Sequence, residues 1–442
     1  MILLYAKNIT PRLRYITDFF SKQLFGQSMS LTADIDQYKN TDLPKLNYSQ
    51  KEISEDEFYL KNTALLFETG VRKQEIDCFE INFHKAFFQT QGDIPFDVFA
   101  AAFYLITRYE EYLPHQKDEY GRYAYTNALA FKENFLHLPI VNIWLEEFKA
   151  ALKQKFPTLA FKPNQFKCIL SYDIDIAYSF LHKGIVRNTG GFLKSLVHGR
   201  WSSMKNRINV LLKKTRDPYD CYEWLDALHL YCRLKPYYFF LVAKNTGKYD
   251  KNISTNQEAL YNLIEYYANT YTIGLHPSWQ SGDDANLLKE ELEWLEAVAE
   301  KKILHSRQHF IRFTLPDTFR RLLKAGIKKD FSMGYGSING FRASVCSSFY
   351  WYDIEKEEQT DLELYPFCFM DANSFFEQKH SPQQAYQELV RYYDIVKKLN
   401  GMFISIWHNN ILGTDAEYKG WSEMFELFMK ETVYWDAYYH GD

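Results

Sequence analysis

The chain lacks the marks of several protein classes. It has only six cysteines (Cys78, Cys168, Cys221, Cys232, Cys346 and Cys368), with no Cys-x-x-Cys pair and no tight spacing. That pattern points to free thiols in a reducing compartment rather than a disulfide framework. No apolar run approaches the ~20 residues that a membrane span needs. The opening residues 1–7 show no basic region followed by a long apolar stretch, so no signal peptide is expected. Positive charge is not in excess either: the net charge of -4 excludes a globally basic nucleic-acid binder. The expectation is a cytoplasmic protein with no nucleic-acid partner.

At 442 residues there is room for two domains, or for one large barrel with additions. Hydrophobic and charged contents of 46% and 24% are those of an ordinary globular chain, whereas aromatics are abundant at 18%. So many rings suit a thick core or a sugar-stacking groove, and the core is the default.

The most informative stretch is Cys168-Ile169-Leu170-Ser171-Tyr172-Asp173-Ile174-Asp175. A short apolar run of this kind predicts a buried strand, and residues two apart on a strand share a face. Asp173 and Asp175 therefore project together from its end. Two carboxylates so close call for a cation, a shared proton or a specific partner. The plainer alternative has one aspartate capping the next helix and the other solvated.

Residues 1–162 predict a smaller α+β unit. Its expected strands are 2–5, 58–66 and 78–83, and its expected helices are 10–25, 96–112 and 141–155. No spacing there points to chemistry. The Pro157 and Pro163 turns mark a boundary, and residues 163–442 form the second unit. In it, strands at 237–242, 272–275, 303–306, 341–345, 362–367 and 402–407 alternate with helices, which predicts a parallel sheet, open or closed into a barrel. Chemistry in such folds gathers at the carboxyl ends of the strands. Asp173, Asp175, His276, His309 and His408 all fall at or just past such ends.

Three segments in this order resemble the polysaccharide deacetylases with a NodB homology domain, a carbohydrate esterase type. They are Ser171-Tyr172-Asp173-Ile174-Asp175, Ile273-Gly274-Leu275-His276-Pro277-Ser278 and Ile404-Ser405-Ile406-Trp407-His408. The stretch from Ser306-Arg307-Gln308-His309 to Gly340-Phe341-Arg342 is similar to the Bacteroidetes-type branch with an extra N-terminal domain. The resemblance covers about residues 165–410. It implies a distorted (β/α) barrel of about seven strands and metal-dependent hydrolysis of N-acetyl or O-acetyl groups on a cell-surface polysaccharide or its precursor. By position, Asp173 would be the general base and His408 the general acid. Asp175, His276 and His309 would hold a divalent ion, zinc or similar. Arg307, Asp330, Arg342 and Asp371 fall where the family orients its side chains or substrate, and Trp279 and Trp407 are candidates for sugar stacking. Two departures stand out. Ile174 separates aspartates that are adjacent in the family, and Gln280 occupies the place of a second loop histidine. His309 is taken to fill that role, with His305 as second choice. The competing readings are a glycan-binding relative without catalysis, and a metal hydrolase of another amide or ester.

Residues 183–216 carry nine Lys/Arg and no Asp/Glu among interleaved apolar residues. Such a stretch suits peripheral contact with an anionic membrane, a charged lid over an acidic or lipid-linked glycan, or an amphipathic helical pair with solvated lysines.

Overall fold

The computed structural model describes residues 2–198 and 201–435. Residues 199 and 200 of the basic stretch, and 436–442 at the end of the second expected unit, lie outside the described residues. The chain opens with four parallel strands, β1 (Leu3–Tyr5), β2 (Ser30–Thr32), β3 (Lys45–Ser49) and β4 (Phe58–Lys61), ordered β2-β1-β3-β4. The helix Pro11–Phe25 crosses between the first two. Its start follows from Thr10, whose side chain accepts the Leu13 N–H, and from Pro11 in the first turn; Gly26 ends it at φ 73. The helix Val98–Ile106 is apolar on every side and wholly buried, with Asp97 as its cap. A helix without a polar face has to sit inside the core. A short hairpin, β5 (Phe79–Ile81) and β6 (His84–Ala86), and the helix Ile140–Lys155 complete this part.

The remaining strands are β7 (Lys167–Ile174), β8 (Tyr237–Leu241), β9 (Thr272–His276), β10 (His305–Ser306), β11 (Lys329–Asp330), β12 (Phe349–Asp353), β13 (Glu358–Leu364), β14 (Phe369–Met370) and β15 (Met402–His408). They form one sheet in the order β12-β13-β11-β10-β9-β8-β7-β15-β14, parallel throughout except for the β12–β13 hairpin. Parallel order brings the carboxyl ends of β7, β8, β9, β10 and β15 to one rim. Among the described residues no ladder joins β14 to β11 or β13, so a mixed α/β protein with a large central sheet is what is seen, without closure into a barrel. The expected strand at 341–345 is irregular chain instead. Ser344 has a left-handed φ of 54, and its carbonyl accepts the Val141 N–H. Its apolar residues are buried by packing and pair with no strand.

The two halves of the chain share one continuous hydrophobic core. Buried ion pairs cross between them. Arg342 Nε donates to Glu111 Oε1 at 2.8 Å, and the same oxygen accepts from Arg108 Nε at 2.7 Å. Glu111 is fully buried, which disfavours its charge, yet the two guanidiniums hold its pKa down to about 2. Arg12 Nε donates to Glu357 Oε2 at 2.8 Å.

Candidate metal centre

Residues 171 and 173 of β7 point the same way, as the strand period requires. Arg307, in the segment after β10, binds both: Nη1 donates to Asp173 Oδ1 at 2.6 Å and Nη2 to Ser171 Oγ at 2.7 Å. The guanidinium lies 4.3 Å over the Phe239 ring and is completely buried. Asp173 is thereby fixed through one oxygen. Its other oxygen, Oδ2, lies 3.8 Å from His276 Nε2.

Three imidazoles converge on Asp175, which follows the end of β7. His276 Nε2 is 3.1 Å from Oδ1, while His309 Nε2 and His408 Nε2 are 3.5 and 3.7 Å from Oδ2. Each ring is committed at its other nitrogen to an acceptor. His276 Nδ1 lies 2.6 Å from the Arg307 carbonyl, His309 Nδ1 3.0 Å from Asp250 Oδ1, and His408 Nδ1 2.6 Å from Asp371 Oδ1. A carbonyl or carboxylate can only accept, so Nδ1 carries the hydrogen in all three. The Nε2 atoms facing Asp175 then either hold a second proton or offer a lone pair to a cation. Metal-binding histidines have this arrangement, the outer N–H being held by a carboxylate or carbonyl.

The electrostatics agree. Burial works against a charged His309, but Asp175 and Asp250 raise its pKa to about 9. Burial likewise opposes charge on His408, and Asp371, Asp175 and Asp173 carry it to about 9. Burial would push the Asp175 carboxyl upward, yet His309 and His276 hold it well below the usual carboxylate range. The negative charge that raises the pKa of His309 and His408 also attracts a cation. Asp175, His276 and His309 present ligand atoms all within 4.8 Å of one another. An Asp-His-His set of this kind could hold a divalent metal ion.

The group lies in a cleft of about 800 Å³, a volume suited to a small-molecule or sugar site. Its aromatic lining includes Tyr120, Tyr249, Phe310, Phe376 and Tyr418. Glu119, Tyr120 and Arg122 come from the first half of the chain. Arg122 fixes that loop by donating to Asp118 Oδ2 at 2.6 Å and to the carbonyls of Phe310 and Gly336 at 2.9 and 3.0 Å.

Residues 2–157 match the model of a family of unknown function, DUF7033. No curated protein matches. Among solved structures, a "putative polysaccharide deacetylase" from Mycobacterium smegmatis aligns with 62% of this chain and 86% of its own, at 13% identity and a TM-score of 0.39. A "probable polysaccharide deacetylase" from Pseudomonas aeruginosa PAO1 aligns over 63% and 93%, at 12% identity and a TM-score of 0.39. A mutant of a CE4 family pseudoenzyme with restored enzymatic activity aligns over 61% and 64%, at 9% identity and a TM-score of 0.29.

The structure brings Asp173, Asp175, His276, His309, His408 and Arg307 together, with Asp371 behind His408. Four other expected site residues stand elsewhere. Arg342 is buried in the ion pair with Glu111. Asp330 is fully buried, and its Oδ2 accepts from the hydroxyls of Ser306 and Ser332 at 2.7 and 3.0 Å. Ser332 Oγ in turn accepts the Gln308 N–H at 2.9 Å, so Asp330 braces the segment that carries His309. Trp407 is completely buried against Phe369 and Phe425 and offers no face to a sugar. Trp279 stacks behind Tyr249 at 4.0 Å, and Tyr249 is the ring that lines the cleft. His305, the second choice as ligand, packs on Tyr237 and Phe331, where burial lowers its pKa to about 4. Gln280 is exposed. Sequence reasoning missed Asp250, Tyr249 and Tyr120. The first two lie in the loop after β8, and position past a strand's carboxyl end was the one signal that could have flagged them.

Proposed function

We propose that this chain is a metal-dependent deacetylase that hydrolyses N-acetyl or O-acetyl groups of a cell-surface polysaccharide or its precursor. The observation that carries this reading is the convergence of three Nε2 atoms on Asp175, beside the Arg307–Asp173 pair, at the floor of a sugar-sized cleft. Asp175, His276 and His309 would hold the ion, which when bound would polarise the acyl oxygen and make water easier to deprotonate. Asp173 is the general base. Arg307 anchors Oδ1, leaving Oδ2 to take the proton of the attacking water. As the water oxygen bonds to the acyl carbon, the bond to the sugar nitrogen or oxygen breaks. His408 gives the departing group its proton from Nε2. Asp371 keeps Nδ1 occupied, so that Nε2 is the nitrogen facing the cleft, and its negative charge favours the protonated ring. General acid–base help of this kind is worth ~10²–10⁴-fold.

In this reading residues 163–442 form the catalytic unit and residues 1–162 a supporting unit whose 119–122 loop walls the cleft. All six cysteines are free, which supports a reducing compartment. Among the described residues no helix is long and apolar enough to cross a membrane. Acetate release from N-acetylated and O-acetylated oligosaccharides, with zinc and with a chelator, tests the proposal. Release that the chelator abolishes and zinc restores is expected; metal-loaded protein that releases none would overturn it.

A further inference from the structure

The hydrolase reading leaves residues 183–216 unused. In the structure they build two helices, Gly184–Val197 and Trp201–Leu211. Eight of the 21 exposed large apolar side chains among the described residues lie between Ile185 and Leu212. The most exposed are Ile185 at 84%, Val197 at 82%, Trp201 at 66% and Leu212 at 59%. They follow helical spacing: Leu193, Leu196 and Val197 on the first helix, Trp201, Ile208 and Leu211 on the second. Lys205, Lys213 and Lys214 are exposed beside them, and the whole stretch contains no acid. Solvated lysines alone would not require so many bare apolar groups.

We infer that this helical pair docks on an anionic lipid surface, its apolar side chains entering the headgroup boundary and its lysines meeting lipid phosphates. Charge complementarity selects this occupant. A second copy of the chain would set the exposed Lys205, Lys213 and Lys214 against the same three lysines, whereas an anionic bilayer neutralises them and accepts the tryptophan. Neither helix is long enough to cross a bilayer, so the pair lies on the surface. It is also coupled to the cleft. Arg187 donates to the carbonyls of Lys251 and Asn252 at 2.8 and 2.9 Å, and Lys251 lines the cleft. At the base of the pair, Asp217 accepts the N–H groups of Ser179, Phe180 and Leu181. Docking would therefore hold the cleft mouth close to the bilayer, where a lipid-linked glycan is presented. That last step rests on the deacetylase reading; the docking does not.

Flotation of the full-length protein tests docking without reference to activity. The probes are phosphatidylcholine vesicles, with and without one-third phosphatidylglycerol. The protein should float with the anionic vesicles and stay behind with the neutral ones. Lys205/Lys213/Lys214→Glu and Trp201/Leu212→Ser should each lower partitioning by at least about tenfold. These positions are all exposed, so the thermal midpoint should not move. Leu230→Ser, 82% exposed and outside the helical pair, should float like the wild type. Equal flotation of wild type and both multiple variants overturns the inference. So does a wild type that never floats, including one that sediments as a dimer which the Trp201/Leu212 variant dissolves.

Discussion

Asp250 tests the metal centre more sharply than any ligand does, because it touches the site only through His309. It is 2% exposed, and its Oδ1 accepts from both His309 Nδ1 at 3.0 Å and the Trp279 backbone N–H at 2.9 Å. Asp250→Ala removes the group that fixes the His309 tautomer and aims Nε2 at Asp175. Losing such a partner lowers metal affinity by ~10–100-fold, or ~1.4–2.7 kcal/mol. It also leaves a buried N–H without an acceptor, which costs ~1–3 kcal/mol of stability. Asp250→Asn keeps an acceptor oxygen and loses only the charge, so its affinity should fall less than about tenfold. The assay is titration of metal-free protein with cobalt(II), read by visible absorbance, and competition of zinc against a chromophoric chelator. If Asp250→Ala binds metal as the wild type does while His276→Ala does not, His309 is no ligand and the three-residue site is wrong.

Other outcomes follow from the same geometry. Asp173→Asn should bind metal normally and lose ~10²–10⁴-fold in turnover, which acetate release under saturating metal would show. Arg342→Ala should cost ~3–5 kcal/mol in urea unfolding, because it leaves Glu111 buried with one partner fewer, and KM should not move. Tyr120→Ala should raise KM for an oligosaccharide about two- to tenfold with kcat held, since the loop lines the cleft without reaching the metal group. Burial holds His229 at a pKa of about 3, so between 6.5 and 3 the unfolded chain takes up a proton that the native state refuses. Its contribution is complete above pH 6.5 and falls as pH drops through that window. From pH 7 to pH 5 the wild type should therefore lose about 2 kcal/mol more than His229→Gln in denaturant titrations.

The long, strongly patterned elements were legible in the residues. The run ending in Asp173 and Asp175 is β7, the 402–407 run is β15, and the helices at 10–25 and 141–155 lie within a residue or two of their expected ends. Strand-end position also pointed to the histidines that meet. Tertiary facts were less visible. The apolar segment 341–345 resembles a strand by composition, but its backbone bonds to Leu136 and Val141 instead of to a neighbouring strand. Trp407 and Trp279 looked like sugar platforms because a tryptophan's role depends on which face is covered, and no local pattern encodes that. Arg342 and Asp330 have the residue types of a binding site, yet their partners, Glu111 and the Ser306–Ser332 pair, can be assigned only once the chain is folded. Asp250 sits in a turn-rich loop with no periodicity to mark it.

The absence of a histidine at position 280 leaves the site with its third imidazole because of sheet register. β9 and β10 are parallel neighbours, with Leu275 opposite Ser306. His276 follows Leu275 directly, so a residue shortly after Ser306 emerges beside it on the same rim. The segment turns at once: Phe310 and Ile311 adopt left-handed φ values of 59 and 53, and the His309 ring comes to lie 4.9 Å from that of His276. The backbone carbonyl of Arg307 holds His276, while the Arg307 guanidinium holds Asp173. One short segment thus supplies His309, orients His276 and fixes Asp173. Two consecutive left-handed residues outside glycine are costly, and such strain persists where the surroundings enforce it. Here the Phe310 carbonyl is held by Arg122, from the first half of the chain. That contact gives the N-terminal part a structural reason to be present: it locks the turn that delivers His309.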